Sequence, residues 1–461
     1  MDKTIAEIIS SFSLEDYRPI FKRDLSLGNL SEPRRGNLVT VVTGIRRSGK
    51  TYRLFQEIDQ LIDKANARPS VLYFNFEDDR LKPFTPDLGN RVLETFYLLN
   101  PSARITGAYL FLDEIQVVPE WDIWLRRVVD TEKVTVCVTG SSAKLLSKDI
   151  ATAFRGRALS YEMTPLSFSE FARLPHEGVP CKDGAGLLED SASNRAFSQK
   201  EHSLLASLFL GYLDKGGFPA VQALSAKQAT SLLQDYVSRV VATDVVERHG
   251  IGNLKAADLF AQRAVSNNAR ELSIRKSENV FKSLGIAVSR AFLADLLDYL
   301  ADSFLIQTVL PFSRALADNA RSAVKVYAVD PGIVRAVSPS SATDVGQRLE
   351  CVVYAELRRR CSPMHSGAVA SYRTNSGYEV DFIVGDMLSQ TGFAFYQVCE
   401  SLGDGRVRKR ELRAISEAMG EKGIGTGTII TLDDEETIDL VLQNGHLARI
   451  EVIPAWKWCL V

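Results

Sequence analysis

The chain has 461 residues, more than one ordinary hydrophobic core accommodates, so about two to four domains are expected. With 45% hydrophobic and 24% charged residues it has the composition of a folded rather than a disordered chain, and a net charge of −2 supplies no global attraction to nucleic acid. No apolar run approaches the roughly 18 residues of a membrane span, the N-terminus MDKTIAEIIS carries acids where a signal peptide carries bases, and the six cysteines form no C-x-x-C pair, so the reading is cytoplasmic, without membrane contact, zinc site or disulfide framework.

Residues 1–36 read as a short amphipathic helix (Ile5, Ile8, Ile9, Phe12) and a polar connector, with no chemistry assigned. A β-branched strand, Leu38 to Val42, then runs into Gly44-Ile45-Arg46-Arg47-Ser48-Gly49-Lys50-Thr51, which fits the Walker A pattern G-x-x-x-x-G-K-[ST] at every position. The two glycines let successive N–H groups turn toward phosphate oxygens, and the helix opening at Lys50 adds the positive end of its dipole. Lys50 is expected on the β- and γ-phosphates and Thr51 on Mg²⁺, with Arg46 and Arg47 pointing to solvent.

Ser70 to Phe76 is the next strand, ending in Glu77, Asp78 and Asp79. Ala108 to Leu112 delivers Asp113 and Glu114 at the C-terminal edge, where ligands collect in a parallel α/β sheet. Asp113 suits Mg²⁺, held through water or through Thr51, and Glu114 suits a base that orients and deprotonates a water. Lys133 to Val138 forms a strand ending in Thr139-Gly140-Ser141-Ser142. Ser141 could contact the γ-phosphate or the water, or one of the two serines could cap the helix that follows. Arg155 and Arg157 flank Gly156 and could stabilise phosphoryl charge in cis or from a second subunit, or form a solvated turn.

The runs GIRRSGKT, YFNFED, LFLDEIQ, TGSSAKLLS, FRGRALSYEMTPLSFSEF and GYLDKGGFPA resemble a large prokaryotic family of AAA-like (AAA+/STAND-type) P-loop ATPases. The C-terminal half of that family is a domain of unknown function related to restriction-endonuclease folds. The resemblance runs from about residue 20 to the end. It implies ATP and Mg²⁺ as ligands and places the nucleotide-site roles on Lys50, Thr51, Asp113, Glu114 and Ser141.

Beyond a loop-like stretch at about 175–200, helices are expected at about 202–214 and 226–248, where AAA-like proteins carry a lid. Residues 253 to about 335 pattern as a winged helix. Its last helix, Ser289 to Asp302, carries Arg290 against Asp295, Asp298 and Asp302, so interdomain or protein docking is weighed beside DNA contact. In the last segment Glu356, Asp381 and Gln397-x-Cys399 are laid out like a nuclease's two acids and its (Asp/Glu)-x-Lys, but glutamine and cysteine replace the carboxylate and the lysine. Cleavage is therefore not expected, and the basic run Arg406 to Arg410 is either a nucleic-acid contact or a solvated helix face.

The expected architecture is α/β throughout. It comprises a lead-in (1–36), a parallel-sheet P-loop ATPase domain (37–175), a connector and helical lid (176–252), a winged helix (253–340) and a C-terminal α/β restriction-endonuclease-like domain, degenerate at its site (341–461). The expected partners are ATP, a nucleic acid, and a protein or a second copy of the chain.

Overall fold

The β-branched run starts one residue later than the sequence suggested: β1 is Val39–Thr43, all five residues buried, while Leu38 is 44% exposed. The structure, a computed structural model, describes residues 2–64, 70–141, 154, 156–175, 197–312, 324–338, 344–361, 369–386 and 391–460. The connector expected at 175–200 lies largely outside them. The chain divides into two units, Met1–Met163 with Asp302–Phe304, and Thr164–Ala301 with Leu305–Val461.

In the first unit, β1 is followed by α2 (Lys50–Lys64), β2 (Val71–Asn75), α3 (Leu88–Leu99), β3 (Ala108–Asp113), α4 (Trp121–Thr131), β4 (Val134–Gly140) and β5 (Ala158–Glu162), after an N-terminal helix α1 (Lys3–Ser11). The strands form one sheet in the order β2-β3-β4-β1-β5, every pair parallel. Helices cover both faces, which is why β1 and β4 read as unbroken apolar or β-branched runs. Strand alternation sorts the core: Phe74, Leu110, Leu112, Val136 and Val138 face one layer with Ile5, Val92 and Val128, whereas Val42, Phe111 and Cys137 face the other with Leu54, Phe55 and Ile58. The edge strand β5 was not anticipated. Its residues Ala158 to Glu162 are partly buried except for exposed Leu159 and mix polar with apolar types, which weakens the strand pattern.

After a short helix at Phe168–Ala172, the second unit continues with α5 (Gln199–Lys215) and α6 (Ala226–Arg239), the latter extending as wider π-helical turns over Val240–Glu247. Ser198 and Ser225 each close a capping box, with Glu201 and Gln228, which fixes both helix starts. Next come α7 (Leu254–Ser266), β6 (Arg270–Leu272), α8 (Ile274–Ser283), α9 (Arg290–Asp302), β7 (Ile306–Val309) and β8 (Val324–Ala328), the strands pairing antiparallel in the order β6-β8-β7.

After α10 (Pro331–Val337) and α11 (Val345–Cys361) come β9 (Val369–Arg373), β10 (Glu379–Asp386), β11 (Thr391–Val398), α12 (Gly405–Lys422), β12 (Thr426–Thr431), β13 (Glu436–Val441) and β14 (Leu447–Pro454). The sheet order is β13-β14-β12-β11-β10-β9, parallel at β11-β12 and β12-β14 and antiparallel elsewhere. Phe382 packs on one face with Tyr354, Leu357 and Trp456, and its neighbour Ile383 packs on the other with Ile415 and Met419. No helix among the described residues is long and apolar enough to cross a membrane.

Candidate functional site

Between β1 and α2 the chain wraps into a cradle. Gly44 (φ 145°), Arg47 (φ 68°) and Gly49 (φ 103°) all take positive φ, the backbone reversals from which anion-binding nests are built. Glycine is required at position 44 because a Cβ there would meet the Met163 carbonyl oxygen at 2.1 Å. The Lys50 side chain is 4% exposed and folds back over the loop, donating from Nζ to the carbonyls of Gly44 (3.0 Å) and Ile45 (3.2 Å). Ile45 and Ser48 are buried and Arg47 is exposed. Arg46 departs from the expectation of a solvated side chain: its guanidinium pairs with Glu77 Oε1 at 2.7 Å, just past β2.

The acidic pair arrives from β3, separated from β1 by β4. Asp113 is fully buried, and its carboxylate accepts from three hydroxyls: Thr51 (2.7 Å), Tyr73 (3.0 Å) and Thr139. Burial pushes the Asp113 carboxyl up and neighbouring Glu114 adds to this, while the three hydroxyls oppose it. Glu114 sits in the left-handed region (φ 51°), a strained conformation for a non-glycine residue. Its side chain lies 3.4 Å from Lys50 Nζ and accepts from Gln116 Nε2 at 2.6 Å. Burial alone would raise the Glu114 carboxyl, but the Lys50 ammonium and the Gln116 amide outweigh it and hold the group below the ordinary glutamate range.

Lys50, Thr51, Asp113 and Glu114 are therefore brought together at the C-terminal edge of the sheet. Ser141, fully buried at the end of β4, joins them through Gln116, whose Nε2 lies 3.4 Å from its hydroxyl. Arg157 does not join them. It precedes β5, at the strand end remote from the loop, and its guanidinium pairs with Asp130 at 2.7 Å. Arg155 and Ser142 lie outside the described residues. Among the described residues no group of three His, Cys, Asp or Glu side chains could hold a metal alone. A hard cation on the Thr51 and Asp113 oxygens would draw its other ligands from phosphate and water.

Several members of the site escaped sequence reasoning. Thr139, on the strand between β1 and β3, receives the Glu114 N–H (2.9 Å) while its hydroxyl donates to Asp113. Its position inside the strand, two residues before Ser141, hid it among β-branched residues of the same propensity. Tyr73 read as an ordinary strand aromatic. Arg23, 6% exposed, comes from the lead-in and donates to the Ser48 carbonyl at 2.8 Å. No local motif announces it.

In the second unit only Glu356 leaves the expected trio; Asp381 and Gln397 stay together, the Asp381 N–H donating to Gln397 Oε1 at 3.3 Å. Glu356 is taken up by Arg359 (2.8 Å) and Arg360 (3.0 Å). The acid of α11 that stands with Asp381 is Glu350. Residues 350 and 356 lie about 120° apart around a helix, so only one can face β10. Both carboxylates share the ammonium of Lys325 on β8, at 3.0 Å from Glu350 and 3.4 Å from Asp381, with Glu379 at 2.8 Å. Gln397 donates to Glu411 (2.8 Å), and burial pushes the Cys399 thiol up to about 12. Of the basic run, Arg408 and Arg410 pair with Glu436 and Glu411, while Arg406 and Lys409 are exposed on the first turns of α12.

Two family models match parts of the chain: AAA domain at residues 36–172, and Domain of unknown function (DUF8612) at residues 207–344. Uncharacterized protein MJ1544 of Methanocaldococcus jannaschii is 31% identical over 457 residues, covering 98% of this chain and 94% of that protein. An uncharacterized protein of Haemophilus influenzae is 26% identical over 371 residues, covering 79% and 84%. Among solved structures, the Aeropyrum pernix ORC1 protein in complex with DNA aligns at a TM-score of 0.31 and 14% identity over 68% of this chain and 88% of that one, a likeness too slight to carry an argument. The near full-length identity to MJ1544 decides the matter: the chain belongs to the family of that uncharacterized protein, with an AAA domain, a P-loop ATPase module, as its N-terminal part.

Proposed function

We propose that this protein hydrolyses ATP with Mg²⁺. The observation that carries the reading is the convergence of Lys50 on Glu114 (3.4 Å) and of Thr51 on buried Asp113 (2.7 Å) beside a loop with positive φ at Gly44, Arg47 and Gly49. The loop amides and Lys50 bind the β- and γ-phosphates. Thr51 and Asp113 offer the hard oxygens that Mg²⁺ takes, and the ion, when bound, supplies charge neutralisation on the phosphates. Glu114, kept anionic beside Lys50, takes the proton of the water that attacks the γ-phosphorus as the bond to the ADP oxygen breaks.

Glu114→Gln keeps the shape and removes the base, so it should bind ATP normally while hydrolysis falls by about 10²–10⁴-fold. Lys50→Ala should lose tight nucleotide binding by calorimetry. Wild-type turnover in Glu114→Gln would sink the assignment. Glu77 and Asp78, just past the end of β2 on the strand beside β3, are already engaged by Arg46 and Arg80.

We read residues 253–340 as a winged helix, supported by the order helix, short strand, two helices and two strands around an antiparallel three-stranded sheet. Residues 345–460 we read as a restriction-endonuclease-like domain that has lost cleavage, supported by Lys325 standing among its acids and by glutamine and a buried thiol at positions 397 and 399. On this reading ATP turnover drives a conformational change of these appended parts, with nucleic acid, a protein or a second copy as the recipient.

A further inference from the structure

Gln116 lies in the short 3₁₀ turn Ile115–Val117, directly after the left-handed Glu114. That reversal folds the chain so that a side chain two residues on returns to the carboxylate: Nε2 donates to Glu114 Oε2 at 2.6 Å. The other end of the amide, Oε1, is sealed from solvent and accepts no hydrogen bond among the described residues. The assignment of the two ends follows from chemistry, because a flipped amide would press its oxygen against a carboxylate oxygen. A buried acceptor without a donor is uncommon in folded proteins, and a ligand or water is a usual source of the missing partner.

A water that Glu114 deprotonates must sit within hydrogen-bond reach of it, and therefore beside Gln116. Such a water has a second proton to place. Resting on the ATPase reading above, we propose that Gln116 is the positioning residue for the attacking water: Nε2 fixes the Glu114 carboxylate, and Oε1, closed off in this structure, is opened by nucleotide binding to accept the water's second O–H so that a lone pair faces the γ-phosphorus. In the step itself the water oxygen bonds to the γ-phosphorus and the electron pair of the breaking phosphorus–oxygen bond leaves with ADP. One proton passes to Glu114, and Gln116 neither gains nor loses one. Ser141, 3.4 Å from Nε2, steadies the amide from the end of β4.

The test uses the full chain and compares wild type, Gln116→Leu and Glu114→Gln by melting temperature, affinity for a fluorescent ATP analogue, KM, kcat and the single-turnover hydrolysis rate. Gln116→Leu should keep the melting temperature, the analogue affinity and KM, and lower both kcat and the single-turnover rate by about 10–100-fold. A side chain that only supported the fold would move stability or affinity instead. Should Gln116→Leu lose nucleotide binding, Gln116→Met, which keeps the length of the chain, decides by the same readouts. An active wild type and inactive Glu114→Gln alongside a fully active Gln116→Leu would overturn this inference alone. A wild type no faster than Lys50→Ala, or an active Glu114→Gln, would overturn the ATPase reading and the inference with it.

Discussion

Thr139 makes the case for how few atoms separate a strand from a working site. Its hydroxyl joins the Asp113 carboxylate to the Glu114 N–H (2.9 Å), so the two acids are held by the neighbouring strand as well as by their own. Thr139→Val preserves volume and β-branching but strands both partners, at a cost of about 1–3 kcal/mol. The measurable effect is a rise in the Mg²⁺ concentration needed for half-maximal hydrolysis, with ATP affinity little changed; an unaltered Mg²⁺ dependence would count against the coupling. A second residue gives a pH signature. Asp330 caps α10 and accepts from Gly217 (2.6 Å) and Gly332 (2.9 Å), and burial raises its carboxyl from 3.8 to about 6. The folded chain thus holds more protons than the unfolded chain between those values, so this group's contribution to stability falls as pH rises from about 4 to 6. The span is worth up to about 3 kcal/mol at roughly 1.4 per pH unit. Urea unfolding from pH 4 to 7 should show this slope in wild type and lose it in Asp330→Asn, which also sacrifices one of the two N–H contacts.

At the scale of elements, β1 and its loop were readable because their chemistry is contiguous: Gly44, Gly49, Lys50 and Thr51 lie within eight residues. Asp113 and Glu114 were readable because a strand delivers them. Tyr73, Thr139, Gln116 and Arg23 were not, since each reaches the site through pairing or packing that a one-dimensional pattern does not contain. The same limit hid that Glu350, not Glu356, stands beside Asp381, because the facing of α11 is set by what it packs on. Strands β12 to β14 show the opposite case: β13 alternates partly buried and exposed residues along ETIDLV, a signal present in the sequence but not drawn out of it. The contact between the loop and β5 yields its own test. Gly44→Ala sets a methyl against the Met163 carbonyl at 2.1 Å, so the loop or the strand must give way, and stability should drop by about 1–3 kcal/mol together with ATP affinity. Normal melting and normal binding in that variant would mean the cradle is laxer than it is drawn.

For the molecule as a whole, Arg157 bears on assembly. Its pairing with Asp130, remote from Lys50 along the strand, implies that Arg157→Ala should hydrolyse ATP within about twofold of wild type. A loss that is restored by mixing with Lys50→Ala chains would place Arg157 in a neighbour's site instead. The ammonium of Lys325, described above among Glu350, Glu379 and Asp381, has a mechanical consequence. It is the counter-ion by which the three-stranded sheet is riveted to the six-stranded one. A second rivet lies nearby, where the chain leaving β7 pairs with β9 through Phe312 N–H to Ser371 O (2.7 Å) and Ser371 N–H to Leu310 O (3.2 Å). Prising the sheets apart would leave buried carboxylates without their cation, a cost of about 3–5 kcal/mol for a broken buried pair. These two sheets should therefore move as one rigid body, and their slowest amides should exchange with solvent in a single cooperative opening.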